Sequence, residues 1–218
     1  MVGATGDLGT HAVYGLLTRG SRPAVAGRDT ARLDALAART GCPAFAIDAY
    51  DLDGCAEVAP WAAAVLGGLD GVLVAVGVPA FGTADSIPDV VAEHLMTVNA
   101  LCPMAVLRGA VPVVRDGGFL AAITGAIVET PLTGTADYAA AKSALSCWLG
   151  VVSREVRRRD VHVIDARLPH MATGFASRSI AGSPPHLPPA ADPAAEMAAL
   201  LDRLLGTLSP ARQQTPTR

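Results

Sequence analysis

The sequence predicts an α/β fold: a doubly wound parallel sheet in three α/β/α layers, with its first strand apparently truncated. Three observations lead there. Short β-type runs alternate with longer helical runs along nearly the whole chain, the pattern of a parallel sheet whose crossovers are helices. The composition is 51% hydrophobic and 17% charged, as expected when apolar strands are covered on both faces. A glycine-rich turn, Gly3-Ala-Thr-Gly6-Asp-Leu-Gly9, stands directly ahead of the first helical run.

Taken in order, strands are expected at 23–27, 43–47, 71–76, 119–123 and 161–166, each a short run of β-type composition. Helices are expected at 7–18, 30–39, 52–66, 88–114, 137–158 and 193–205. Asp29 reads as a cap for the second helix, and Pro193 as a first-turn proline for the last. Residues 182–193 are rich in proline and form a loop ahead of that helix. The chain is long enough for one well-buried domain, expected over 1–208, with 209–218 a frayed tail. One element does not fit. The strand before a glycine turn is central in the doubly wound order, yet only Met1 and Val2 precede Gly3. A central strand usually runs to about five or six residues. Either the chain begins upstream, the preferred expectation, or a short stub lies between two longer neighbours.

Composition also excludes. The net charge is −3 with no basic stripe, which argues against a nucleic-acid partner. Arg154, Arg157, Arg158 and Arg159 read as a helix end, where cations suit the dipole. Cys42, Cys55, Cys102 and Cys147 are scattered without C-x-x-C spacing, so neither a disulfide framework nor a zinc site is expected. His11, His94, His162 and His186 have no partners at metal spacing. No apolar run is expected to reach the roughly 18 residues of a spanning helix, and the start is not a signal peptide. A cytoplasmic protein with no membrane partner is expected.

The residues that carry chemistry are Tyr138 and Lys142. Four apart, they lie on one face of a helix, one turn from each other. A nearby ammonium favours phenolate and is expected to lower the tyrosine pKa towards the range of an acid/base catalyst. At the other end of the chain, the glycine turn gives a backbone free of side chains. Peptide N–H groups at the helix start can then approach a pyrophosphate. Asn99 lies between, inside a long apolar helix.

In this order the glycine turn, Val98-Asn99-Ala100-Leu101, Tyr138…Lys142 and Pro169…Thr173 resemble the short-chain dehydrogenase/reductase family, over Gly3 to about Leu205. The resemblance implies a Rossmann-like fold and hydride transfer between a nicotinamide cofactor and a carbonyl or alcohol. It implies that Tyr138 is the general acid/base, that Lys142 holds the nicotinamide ribose and tunes Tyr138, and that Asn99 binds a relay water. The family's serine before the tyrosine falls at Gly125, and Thr124 beside it is the substitute donor. Other candidates are Thr130, Thr133 or a group on the substrate. For the cofactor the resemblance assigns Gly3, Thr5, Gly6, Asp7, Leu8 and Gly9 in the turn, with Asp7 as a helix cap whose charge near a pyrophosphate is unusual. It also assigns Asp48 past the third strand of the family order, Gly77 at the end of Val74-Ala75-Val76-Gly77, and Pro169 and Thr173 after the sixth.

Past the second strand of that order an acid would bind the ribose 2′-hydroxyl and favour NAD; here stand Gly27 and Arg28. A guanidinium suits a 2′-phosphate, so NADP(H) is preferred and NAD(H) is the alternative. His170 replaces a family glycine and is expected in a surface loop or facing the nicotinamide. The family also implies a homodimer or homotetramer through the Asn99 and Tyr138 helices; Trp148, Leu149 and Val152 suit that contact or core packing equally. A non-catalytic NADP(H)-binding regulator of the same fold is the alternative function: Gly125, Asp7 and the lost asparagines favour it, and the Tyr138/Lys142 pair opposes it.

Overall fold

Parallel pairing along the chain builds the sheet. In the computed structural model, which describes residues 1–208, β1 is Val25–Gly27, β2 Ala44–Ala46, β3 Leu69–Val74, β4 Val114–Ile123 and β5 His162–Ala166. β1 pairs with β2, and β4 lies between β3 and β5, all parallel. Val2 joins the two halves by bridging Ala26 on one side and Val74 on the other. Its amide donates to the Leu73 carbonyl at 2.9 Å, and its own carbonyl accepts from Ala75 at 2.8 Å. The stub thus holds the central position between two longer neighbours. The order is β2-β1-stub-β3-β4-β5, the doubly wound order. The tail expected at 209–218 lies outside the described residues.

The helices are α1 Asp7–Thr18, α2 Thr30–Thr40, α3 Leu52–Leu66, α4 Asp89–Met96, α5 Cys102–Ala110, α6 Ala136–Glu155 and α7 Pro193–Gly206. Side chains alternate across a strand, and the two resulting faces are covered separately. Leu73, Phe119 and Ala121 pack under α1 and α7 with Ala12, Met197 and Leu201. Val72, Val74, Leu120 and Ala122 face α3, α5 and α6 with Val58, Val106 and Leu145. Each fully buried leucine contributes roughly 2 kcal/mol of apolar transfer, and Leu145 and Leu201 are both 1% exposed. Leu149 and Val152 are buried in the same core and Trp148 packs against it, so core packing accounts for these three.

Capping follows the sequence. Asp29 accepts from the Arg32 amide at 3.0 Å at the start of α2, and Asp51 accepts from Gly54 at 2.9 Å at the start of α3. Asp192 accepts from Ala194 ahead of Pro193.

Two expectations change. The single helix at 88–114 is α4 and α5 joined by a π-helical turn, Thr97–Leu101, in which the Cys102 amide reaches back to the Thr97 carbonyl. The cause is local: Pro103 has no N–H to give the Asn99 carbonyl, and the Asn99 side chain takes the Leu95 carbonyl at 3.0 Å, so the ladder loosens by one residue. β4 then begins at Val114, and its register against β3 shifts between Leu69 and Gly71. The second change concerns apolar length. The helical stretch Asp89–Ala110, 22 residues, is long and apolar enough to cross a membrane by length and composition, contrary to expectation. Half of its most apolar window is buried inside the protein, as in a core helix.

Candidate active site

The carboxyl ends of the strands open onto one cavity of about 200 Å³, where open α/β sheets place their ligands. Three parts of the chain converge on it. Gly6, Asp7, Leu8 and Gly9 form one wall, and Gly77, Thr124 and Gly125 form the floor. Tyr138 and Lys142 reach in from α6.

The turn is built by close approach. Gly3 has φ +83, and a Cβ there would lie 2.6 Å from the Ala75 carbonyl; one on Gly9 would lie 2.0 Å from the Gly3 carbonyl. These two glycines therefore fold the turn onto itself and onto the end of β3. Gly6 differs: a Cβ there would meet nothing closer than 3.5 Å, and its bare face borders the cavity. Gly6 is also the N-cap of α1 and caps it with no side chain, leaving the first-turn amides available to an anion. A pyrophosphate fits this donor set. Asp7 does not cap the helix as expected. It is the first helical residue, and its carboxylate accepts from Arg178 Nη2 at 2.9 Å.

Tyr138 and Lys142 share the cavity but have unlike surroundings. Lys142 is 4% exposed. Its Nζ donates to the Ile123 carbonyl at 3.1 Å and the Val76 carbonyl at 3.3 Å. Burial pushes its pKa down to about 8, opposed by the Asp165 carboxylate. Burial pushes the Tyr138 phenol up, the reverse of the lowering expected from a neighbouring ammonium. The reason is packing: the Phe175 ring lies 6.2 Å from the Tyr138 ring, centroid to centroid, and the Lys142 ammonium is turned to backbone carbonyls. Tyr50, bonded to His94 Nδ1, is 62% exposed and does not line the cavity.

Asn99 is fully buried behind the floor. Its Nδ2 donates to the Val78 carbonyl at 2.9 Å, and its Oδ1 accepts from the Val78 amide at 3.1 Å. It thus pins the chain leaving β3 to the π turn. Gly77, beside it, has room for nothing larger: a Cβ would lie 2.9 Å from Asn99 Oδ1 and 3.0 Å from Lys142 Nζ.

Thr124 lines the cavity, but its hydroxyl donates to Asp165 Oδ1. Asp165 also accepts from Ser146 at 2.7 Å and Arg167 at 2.9 Å, and Arg167 pairs with Glu129 at 2.7 Å. These bonds, with the Arg167 charge, hold the Asp165 carboxyl below its usual range although burial opposes them. Gly125 has φ +86 and ψ 161, a backbone state that serine rarely adopts.

The remaining predicted residues are dispersed. Thr173 and His170 line the cavity; Pro169, between Leu168 and His170, does not. Thr5 touches Gly27, where a Cβ would lie 3.2 Å from its Oγ1. Arg28 is exposed just beyond β1. Asp48 is exposed and accepts from the Tyr50 amide at 2.9 Å. Gly3, Thr5, Arg28, Asp48 and Asn99 do not line the cavity. Phe175 and Arg178 lie in the loop after β5 and line the cavity. One residue beside the site, Asp165, went unread in the sequence. Asp165 had a signal: it is an acid within an apolar strand.

The model of the short chain dehydrogenase family matches residues 1–182. This chain belongs to the short-chain dehydrogenase family. As a short-chain dehydrogenase it is an NAD(P)(H)-dependent oxidoreductase, and its Rossmann-like three-layer fold is that of its relatives. A protein of Thermus thermophilus described as a short-chain oxidoreductase is 28% identical, with 93% of each chain covered and a TM-score of 0.79. A short chain dehydrogenase of Burkholderia cenocepacia, solved with NADP, is 20% identical over 98% of this chain and 90% of its own, with a TM-score of 0.80. An alcohol dehydrogenase of Thermococcus sibiricus, solved with 5-hydroxy-NADP, is 19% identical over 100% and 92%, with a TM-score of 0.79. No curated protein matches the chain.

Proposed function

We propose that this short-chain dehydrogenase reduces a small, partly apolar carbonyl compound, or oxidises the matching alcohol, with Tyr138 as general acid/base and NADP(H) as the preferred cofactor. The observation that carries the reading is convergence: α6 places Tyr138 and Lys142 on the same cavity as the open first turn of α1.

When bound, the nicotinamide ring supplies or takes up the hydride. Tyr138 gives its phenolic proton to the oxygen of a carbonyl in the cavity and takes one from an alcohol in the reverse direction. Burial keeps that phenol protonated, which suits the reductive direction. Lys142, with its pKa near 8, exchanges protons in the working range one helical turn away. For Thr124 to serve the substrate oxygen, its hydroxyl must leave Asp165. Ile123, Leu168, Met171 and Phe175 make the cavity apolar beside these groups, which supports a substrate with a hydrocarbon body.

Arg28 supports the NADP(H) preference. It follows β1 where a ribose acid would stand, and Asp29 is already spent capping α2. Two of the similar structures hold NADP or an NADP derivative. Gly3, Thr5, Gly6, Leu8 and Gly9 would hold the pyrophosphate side, Asp48 the adenine, and Gly77, Lys142, Pro169 and Thr173 the nicotinamide side. Asn99 would add the relay water. A single domain over 1–208 and a homodimer or homotetramer complete the proposal. Val90, Met96, Leu101 and Val151 lie exposed on the helical segments that would meet. Four free thiols fit a cytoplasmic setting.

Titration of the purified chain with NADPH and NADH, followed by cofactor fluorescence, tests this. Saturable binding with NADPH tighter is the expected result. Binding of neither would sink the cofactor reading, and tighter NADH would sink the role of Arg28.

A further inference from the structure

Within the proposed cofactor site, Asp7 is out of place. A carboxylate in the first turn of a helix suits the dipole, but a pyrophosphate seated on the same turn would meet it as a second anion. The cavity wall nevertheless includes Asp7. What compensates it comes from 171 residues further along: Arg178 Nη2 donates to Asp7 Oδ2 at 2.9 Å.

The stability of the fold does not explain this pair. The two side chains are 56% and 37% exposed, and exposed pairs contribute little. Position is what distinguishes it. Both residues border the cavity, and Arg178 ends the short 3-10 turn Ala176–Arg178, immediately after the Phe175 that rests on Tyr138. Its amide donates to the Phe175 carbonyl at 3.2 Å, and Ser177 Oγ donates to the Gly174 carbonyl at 3.1 Å, which shapes the turn. A guanidinium also stays cationic at every working pH and has further N–H donors beyond the one given to Asp7.

We propose that Arg178 is a positioning residue of the cofactor site, acting through Asp7: it cancels the Asp7 charge where the pyrophosphate of a nicotinamide dinucleotide lies. The inference rests on the cofactor reading above. Two other cations stand nearby: Arg32 and Arg39 line the adjoining groove with Asp7 and His11. If they sufficed, Arg178 would be dispensable.

The test is NADPH titration by fluorescence of the full chain and of R178M, D7N and D7N/R178M, with thermal unfolding of each. R178M is expected to weaken binding by about tenfold or more, because the Asp7 carboxylate is then left uncancelled beside the pyrophosphate. D7N is expected to bind at least as tightly as the parent. D7N/R178M is expected to return to within about threefold of D7N, because the charge that needed cancelling is gone. Recovery in the double variant also shows that lost Arg178 had not unfolded the site. The proposal is overturned if R178M binds like the parent, or if D7N/R178M is as weak as R178M. A parent chain that binds no NADPH would instead overturn the cofactor reading itself, before any variant is compared.

Discussion

Asn99 grips the peptide group of Val78 from both sides, its Nδ2 on the Val78 carbonyl at 2.9 Å and its Oδ1 on the Val78 amide at 3.1 Å. The same Nδ2 serves the Leu95 carbonyl, one helical turn back, at 3.0 Å. One side chain therefore satisfies three backbone groups at the back of the cavity. Asn99→Leu would strand all three, and each buried unsatisfied group costs about 1–3 kcal/mol. A loss of about 3 kcal/mol or more in urea unfolding is expected; a loss below about 1 kcal/mol would contradict this account.

Lys142 gives stability a pH dependence whose sign can be worked out. Burial lowers its folded-state pKa from 10.5 to about 8. Between those values the unfolded chain binds the proton and the folded chain does not. Stability from this group therefore rises with pH from about 8 to 10.5, and the charged form costs the fold about 3 kcal/mol below that window. Lys142→Met should flatten that rise. Urea unfolding across the window, parent against variant, reads it directly.

Tyr138→Phe removes the acid and leaves the ring that packs on Phe175. Turnover of any carbonyl substrate the parent accepts should fall by about 10² or more, while NADPH affinity changes little. Equal turnover in parent and variant would remove Tyr138 from the chemistry.

Restoring the family's serine at Gly125 should fail to improve the protein. At φ +86 and ψ 161 a side chain is strained by roughly 1–3 kcal/mol, although the space around it is open to 3.8 Å. Gly125→Ser is therefore expected to lower the unfolding midpoint. An unchanged midpoint would mean that the loop re-forms around the new residue.

Much of this was readable in advance because it is local. Local patterns placed α1, α2, α3, α6, α7 and four of the five strands to within a few residues, but not the break between α4 and α5 or the early start of β4 at Val114. The Gly6 turn and the Tyr138–Lys142 pair depend only on spacing along one element. What was not readable depends on partners far away in the chain. The pKa direction of Tyr138 turned on Phe175 and on where Lys142 points. The fate of the Thr124 hydroxyl turned on Asp165 in another strand. Asp7 could be flagged as odd, but not paired with Arg178. The π turn had a readable cause, Asn99 followed by Pro103, yet only the packing of 78 against 99 shows why the chain keeps it.

That turn has a consequence for how the helix tolerates change. A π turn amounts to one surplus residue in an α-helical ladder, and one residue is about 100° of rotation. With the surplus, α4 lays Leu95 towards α6, beside Ala141, while α5 lays Cys102 and Val106 into the core shared with α3. Deleting a single residue within Thr97–Leu101 would put the two halves in one continuous phase, and one of them would then present the wrong side to its neighbour. The segment has to keep its length as well as the Asn99 side chain within it.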